Sequence, residues 1–405
     1  MSERTALIVG GGIGGLSAAL ALRRVGYRVT VIEQARQLTE VGAGIGMNPN
    51  AVGALTALGL HDRLQATVVQ PRWSIRRRWE DGSELIRVDL EAARERFSYP
   101  FWFMHRGDLQ TALVDAAVDS SGLGTPVVIK VGVRMTGFDP DRRVVTTEAS
   151  GEFSADVIIG ADGIASRTRA ELFYGGDPEY SGQTIYRSQI PLESLSGDAE
   201  LEKLASGSNF ETWLGPGGHI VHCTFRSGTV FNFTGSFDAP AIGGGVRTAA
   251  ASREALAAHI EGWYPALHRI LDRAPSLYRY DLYLIPALER WTESNLALIG
   301  DAAHPMMPYL GQGAAQAIED AECLAAALDG VPVEGIPEAL RAYESVRRPR
   351  ATKVQSVSQG NGRIFHLPDG PEQRERDAAI ARGASDWDIT AWLWEYQSPA
   401  TTMAR

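Results

Sequence analysis

The chain has 405 residues, 44% of them hydrophobic and 22% charged, with a formal net charge of −10. That length exceeds what one small core can organise and predicts two domains of an ordinary globular protein. The acid excess argues against nucleic acid as a partner, and it would repel an anionic substrate at long range unless local arginines draw it in. Two cysteines, Cys223 and Cys323, supply neither a disulfide framework nor a metal-ligand cluster. The apolar N-terminus runs straight into a glycine turn, unlike a signal peptide, and no stretch reaches the length of a membrane span. A cytoplasmic protein without stable membrane insertion is expected.

Residues 5–9 (TALIV) predict a strand, followed by Gly10-Gly11-Gly12-Ile13-Gly14-Gly15 and the helix-prone LSAALALRRVG. This is G-x-G-x-x-G at Gly10, Gly12 and Gly15, placed between a strand and a helix, which is the context that gives the motif meaning. Gly10 permits the tight turn, Gly12 lets a pyrophosphate approach the backbone, and Gly15 lets the helix lie close on the sheet. A second strand, YRVTVIE, ends at Glu33, eighteen residues after Gly15. A carboxylate there can accept from both ribose hydroxyls of an adenosine, and Gln34 beside it joins the candidate dinucleotide contacts.

Residues 41–50 predict a glycine loop, either against the far end of the ligand or simply on the surface, and then a helix. From 70 to 105 the text alternates like strands, with a hairpin at Asp81-Gly82. Arg106 opens the next helix, where a cation does not favour the dipole; an anionic ligand or plain solvent exposure would explain it. Residues 127–159 read as three strands leading into GADGIASRTR, and no second G-x-G-x-x-G exists in the chain.

Residues 180–240 predict the sheet of a second domain. Alternation puts His219, Val221, Cys223 and Phe225 on one strand face, and Tyr186 with Ser188 opposite to Arg187. The first face suits a wall of a small aromatic-binding site, or equally a core histidine. A helical stretch interrupted at Pro265 and a strand (DLYLIPALERW) follow. Next comes Leu296–Cys323, LALIGDAAHPMMPYLGQGAAQAIEDAEC. An apolar strand there delivers Asp301, a Pro/Gly loop wraps a ligand, and a helix start points its N–H groups at it, unless this is an ordinary corner. Two more helices cover the core, and the tail with Trp387, Trp392 and Trp394 predicts an end cap or a subunit contact.

Three signatures stand in order: Gly10–Gly15 with Glu33, GADGIASRTR, and LIGDAAHPMMPYLGQGAAQAIEDA. Together they resemble the single-component (group A) FAD-dependent aromatic hydroxylases, within them the salicylate, 3-hydroxybenzoate and 6-hydroxynicotinate hydroxylase branch. The resemblance spans nearly the whole chain. It implies an α/β fold: a Rossmann-type FAD-binding domain, a second α+β substrate domain built on a mainly antiparallel sheet, and C-terminal helices. The FAD-binding segments would be 1–72, 106–179 and 291–370, the substrate-domain segments 73–105 and 180–290, and the tail 371–405. The resemblance places FAD on Gly10, Gly12, Gly14, Gly15, Glu33 and Gln34, with Arg106 reaching it and Met135 contacting adenine through its backbone. Asp301 would hold the ribityl or pyrophosphate region, and Gly313 and Ala314 the N1–C2=O edge of the flavin. Asp162 belongs to a motif linked to both FAD and NAD(P)H.

The implied chemistry is reduction of FAD by NADH or NADPH, formation of a flavin C4a-hydroperoxide with O2, and transfer of the distal oxygen to an electron-rich ring. The protein must then remove a phenol proton, for which a histidine is a sensible base near neutral pH. In the pattern GP-x-x-H-x-V, His219 aligns with a pocket histidine of the hydroxybenzoate and hydroxynicotinate enzymes. Four residues on, where those carry a tyrosine, this chain has Cys223. Tyr309 stands where relatives place a histidine or glutamine, and Gly46 where some carry a histidine. The expected substrate-activating pair is His219 with Tyr309, the Pro308 carbonyl is a further acceptor, and Cys223, Tyr186 and Gly46 border a small aromatic substrate. A homodimer is compatible with this reading. An FAD epoxidase or N-hydroxylase of a larger biosynthetic intermediate would share the flavin framework; a third reading, a non-catalytic nucleotide-binding redox sensor, is disfavoured by the Asp301 loop and the histidine-bearing strand face.

Overall fold

The computed structural model describes residues 4–38, 44–140, 142–173, 176–205, 209–226, 228–243, 246–382 and 391–396. A six-stranded sheet runs in the order Thr292–Glu293, Leu296–Leu298, Val157–Gly160, Thr5–Val9, Arg28–Glu33, Val128–Val131. Its neighbours are parallel except the edge pair Thr292–Glu293 with Leu296–Leu298. Its inner strands are almost wholly apolar because both faces are covered, as parallel sheets require. The helices Ile13–Arg24 and Gly313–Leu328 meet so closely that a Cβ on Gly14 would lie 3.3 Å from that of Ala317.

The second sheet has eight strands in the order Thr248–Ala250, Tyr278–Leu284, Glu179–Pro191, Val230–Asp238, Gly218–Phe225, Asn209–Gly215, Trp73–Arg78, Glu84–Asp89. Only the pairing of Asn209–Gly215 with Trp73–Arg78 is parallel. One face of this sheet buries Trp213, Phe231, Phe233 and Phe237 against the helix Pro265–Asp272 in a core of its own. The other face turns toward the first domain. A 30-residue helix, Ile336–Phe365, packs on the helix Gly313–Leu328 and on the turn Pro308–Leu310. Together these are the α/β and α+β layers expected from the sequence.

Several local expectations change. Residues 127–159 form five strands, not three, because Gly132 at φ +71° splits VVIKVGVRMTGFD into Val128–Val131 and Met135–Asp139 and Glu152–Ser154 adds a third strand to a separate meander. The segment Gly44–Met47 is a strand, since Trp102–His105 supplies the antiparallel partner that a glycine-rich sequence cannot advertise; residues 41–43 lie outside the described residues. Trp102–His105 therefore leaves the eight-stranded sheet, and a helix, Leu90–Phe97, separates it from Glu84–Asp89. Pro265 begins a helix, where its missing N–H costs nothing. In the tail, Trp394 packs edge-on against Phe97 with ring centroids 5.3 Å apart, while Trp387 lies outside the described residues. No helix of the described residues is long and apolar enough to cross a membrane.

Candidate active site

The glycines of the first turn divide by what surrounds them. Gly10 sits at φ +112°, and a Cβ there would fall 2.3 Å from the Ala161 carbonyl oxygen. A Cβ on Gly15 would fall 2.0 Å from the Gly10 carbonyl oxygen. Both positions bring backbone against backbone, so no side chain fits. At Gly12 an added Cβ meets nothing within 4 Å, and the residue opens on a cavity of about 1100 Å³. No side chain caps the helix Ile13–Arg24 at Gly12, so its first N–H groups face that cavity unsatisfied.

The cavity is walled by residues of both sheets. On the first-domain side stand Gly12, Gly14, Gly46, Arg106, Asp301 and the segment Pro308–Ala314. Asp301 is exposed and makes no hydrogen bond or ion pair with a described residue. The helix Gly313–Leu328 likewise starts without a side-chain cap, aiming the N–H groups of Gly313 and Ala314 inward. Two uncapped helix starts, an unpartnered carboxylate and an open Gly12 fit a long, phosphate-bearing dinucleotide such as FAD.

The residues assigned to the adenosine end lie off this cavity wall. Glu33 accepts the Gly11 N–H on Oε2 and the Ala35 N–H on Oε1, both at 2.7 Å, and each oxygen keeps a second lone pair. Gln34 beside it is exposed. The Asp162 carboxylate is engaged by Ser166 Oγ (2.6 Å), the Thr168 N–H (2.9 Å) and Thr168 Oγ1 (3.1 Å), which fixes the turn into the helix Arg167–Phe173. The buried Met135 sulfur lies 3.5 Å from the same Thr168 hydroxyl oxygen, so the turn packs on the meander.

On the substrate-domain side, His219 and Val221 line the cavity from the strand Gly218–Phe225. His219 is buried, and burial followed by the neighbouring His366 ring holds it well below the ordinary histidine value. Its Nδ1 lies 2.9 Å from His366 Nε2, while Nε2 has no hydrogen bond with a described residue. His219 meets Tyr309 and Phe365 edge-on, with centroids 5.1 and 5.2 Å away. The Tyr309 hydroxyl is committed to protein partners: it donates to Gln183 Oε1 at 2.6 Å and lies 2.9 Å from Ser236 Oγ. Burial pushes its phenol up, so it is a neutral donor. The Pro308 carbonyl already accepts the Gly311 N–H at 2.9 Å, leaving one lone pair.

Two expected substrate contacts are displaced. Tyr186 turns away from the cavity into the second core, where it packs on Phe237 and His259; Arg187, the next residue, lines the cavity instead. Alternation alone could not tell which face of Glu179–Pro191 was inward. Cys223 shares the face of His219 but is not on the cavity wall; its cross-strand partner Asn232 is. Burial pushes the Cys223 thiol up and keeps it protonated. Gly46 lines the cavity, and a Cβ there would touch the Phe101 ring at 3.1 Å. The Arg187 side chain makes no hydrogen bond or ion pair with a described residue, and its guanidinium lies over the Tyr280 ring, 5.4 Å from the centroid. Burial, and then the nearby Arg106 against a favourable Tyr280, lowers its affinity for its proton. His366, Asp238 and Gln183 were likewise not singled out by sequence; His366 is 147 positions from the histidine it touches.

The chain belongs to the FAD binding domain family, matched over residues 3–214 and 286–358. It is 35% identical over 394 residues to the 3-amino-4-hydroxybenzoate 2-monooxygenase PtnB3 of Streptomyces platensis, covering 96% of each chain. It is 33% identical over 402 residues to 3-hydroxybenzoate 6-hydroxylase 1 of Aquipseudomonas alcaligenes, again covering 96% of each. A salicylate hydroxylase substrate complex shares the fold at a TM-score of 0.82, with 23% identity, covering 99% of this chain and 98% of that one. The family and these relatives define an FAD-dependent aromatic monooxygenase of the 3-hydroxybenzoate hydroxylase type.

Proposed function

We propose that the chain is an NAD(P)H-dependent FAD monooxygenase that hydroxylates a small phenolic or heteroaromatic acid. The observation that carries this reading is that a neutral His219 and a cationic Arg187 face one cavity, opposite Asp301 and the helix start at Gly313–Ala314. Arg187 pairs across the sheet with Thr234, and Thr234 with Val221. Two strand spacings, about 10 Å, therefore separate the arginine strand from the histidine strand. A hydroxylated aromatic acid offers a carboxylate to one side and a phenol to the other.

Bound FAD, reduced by NADH or NADPH, supplies the O2-activating chemistry; the protein's part is to hold, activate and shield the ring. Gly12, Gly14, Arg106, Asp301, Gly313 and Ala314 would hold FAD along the cavity. Gly10, Gly15, Glu33, Gln34, Met135 and Asp162 would shape or contact its adenosine end. His219 Nε2 accepts the phenol proton, and the Pro308 carbonyl and the small Gly46 border the ring. Tyr309 closes the site from the seam, its hydroxyl occupied by Gln183 and Ser236. The guanidinium of Arg187 is the charge that lets an acidic protein take an acidic substrate, because a close pair outweighs screened long-range repulsion.

The test is a panel of hydroxybenzoates, hydroxypyridines and anilines, following NAD(P)H and O2 consumption and the mass of the product. At least one phenolic acid should speed NAD(P)H oxidation and gain one oxygen; a panel in which none does would sink the reading. Loss of a charge-assisted hydrogen bond is worth about 1.5–3 kcal/mol. Arg187→Ala should therefore raise KM for the carboxylated substrate by about 10- to 150-fold. It should barely change KM for the same phenol without a carboxylate. Equal effects on both would remove Arg187 as the anchor.

A further inference from the structure

Behind His219 a line of polar groups leads out of the molecule. His219 Nδ1 lies 2.9 Å from His366 Nε2, and His366 Nδ1 lies 3.0 Å from Asp238 Oδ1. Both rings are buried, while the Asp238 side chain is 55% exposed. Three separate elements supply the groups: the strands Gly218–Phe225 and Val230–Asp238, and the residue that ends the helix Ile336–Phe365. Gln183 Nε2 donates to the same Asp238 oxygen at 2.8 Å, and its Oε1 accepts from Tyr309, so the amide is fixed in one orientation.

The chemistry of these partners sets the tautomers. His366 Nδ1 lies 3.0 Å from Asp238 Oδ1 and 3.2 Å from Gln183 Nε2; the carboxylate is nearer and only accepts, and Gln183 Nε2 donates to it at 2.8 Å, so His366 carries its proton on Nδ1. Its Nε2 is then an acceptor, and His219 must donate to it from Nδ1. That leaves His219 Nε2 with a lone pair, at the cavity face and unpartnered by any described residue.

We propose that His219, His366 and Asp238 form a relay that carries the substrate's phenol proton from the cavity to solvent, with Gln183 and Tyr309 as positioning residues at its outer end. This rests on the phenol hydroxylation read above. In the relay the phenol O–H bond breaks and its proton bonds to His219 Nε2. The Nδ1 proton of His219 passes to His366 Nε2, and the Nδ1 proton of His366 passes to Asp238 and then to water. One proton leaves the site, each histidine ends neutral in its other tautomer, and no electrons are transferred. Burial raises Asp238, but the hydrogen bonds from His366 and Gln183 outweigh it, so the carboxyl stays ionised and holds the arriving proton only in passing to water at its exposed edge. Without such a path the buried imidazole would have to keep a positive charge that burial disfavours.

The test uses the FAD-loaded enzyme mixed rapidly with 3-hydroxybenzoate and the other phenols of the panel, in weak buffer with a pH indicator. Phenolate absorbance is followed at the same time. The wild type should form phenolate and release one proton per site. His366→Gln and Asp238→Asn, which retain shape and polarity, should keep FAD and release that proton at least about 10-fold more slowly. His366→Gly should be equally slow and be rescued by added imidazole, a response that a merely structural defect would not give. If either conservative variant released the proton at the wild-type rate, the relay would be wrong while the functional reading stood. If the wild type formed phenolate with no member of the panel, both would fall together.

Discussion

Tyr309 sits where the Pro/Gly loop of the first domain meets the sheet of the second, and its hydroxyl is bound on both sides. The bond to Gln183 Oε1 makes the phenol a donor there, so it accepts from Ser236. A group so engaged cannot also take a substrate proton without breaking a bond inside a buried site. In the relay proposed above, its part is to hold Gln183, and through Gln183 the carboxylate of Asp238. Tyr309→Phe should leave the Gln183 oxygen unpaired and lower unfolding free energy by about 1–2 kcal/mol. FAD should stay bound, and product formed per NAD(P)H should fall only partly. Denaturant unfolding and a count of product against NAD(P)H consumed would check both. A loss of phenolate as complete as that in His219→Ala would mean that Tyr309 acts on the substrate directly. His219→Ala itself should retain FAD and divert reducing power from product to peroxide.

The helix Gly313–Leu328, alanine-rich and packed into the core, is also pinned from behind by a buried ionic cluster. Arg347 reaches Asp320 Oδ1 at 2.8 Å and Glu319 Oε2 at 2.6 Å, and Arg350 bonds both Glu319 oxygens. Asp320 also takes the Gly300 N–H (3.0 Å) and faces His304 Nε2 (2.6 Å), tying the helix to the loop that carries Asp301. Burial alone would raise Asp320, but His304, Arg347 and the Gly300 N–H outweigh it and hold the carboxyl at about 2. An unfolded aspartate titrates near about 3.9. A carboxyl depressed by folding adds stability that is fully present above the unfolded value and disappears as pH falls through the folded one. Asp320 should thus contribute about 2 kcal/mol near neutral pH, lost between about pH 4 and 2. Asp320→Asn should remove that acid slope and, by leaving Arg347 short of a counter-charge, cost about 3 kcal/mol or more at pH 7. Unfolding curves across this pH range decide it; an unchanged slope in the variant would refute the assignment. The same cluster marks how far sequence reading reaches. The strand–glycine turn–helix at Gly10–Gly15, the strand ending at Glu33 and the strand–loop–helix around Asp301 were legible as local structure, because each pattern is carried by adjacent residues. The strand at Gly44–Met47, the inward face of Glu179–Pro191 and the meeting of His219 with His366 were not. Each is decided by a partner from a distant part of the chain, and neither glycine content nor alternation carries that information.

At the scale of the whole molecule, the cavity is the seam between the two sheets, so binding FAD should stabilise the assembly and not merely fill a hole. A ligand bound only by the folded chain adds about 2.7 kcal/mol of stability at a hundred times its Kd. The two kinds of glycine at the first turn separate this effect from folding itself. At Gly15 the missing side chain is required by backbone 2.0 Å away, so Gly15→Ala should destabilise the chain by about 1–3 kcal/mol even without FAD. At Gly12 the backbone is extended at φ −75° and a Cβ would meet no protein atom, so Gly12→Ala should leave the FAD-free chain as stable as the wild type. That methyl instead enters the space beside the uncapped helix start, where the pyrophosphate would approach closely if FAD lies along the cavity as proposed. Gly12→Ala should therefore lose most of the rise in Tm that added FAD gives the wild type. Thermal unfolding of both variants with and without FAD measures all four quantities. A Gly12→Ala protein with the full FAD-dependent rise would show that the pyrophosphate lies elsewhere. Loss of stability in its FAD-free form would show that Gly12, like Gly15, serves the fold before it serves the cofactor.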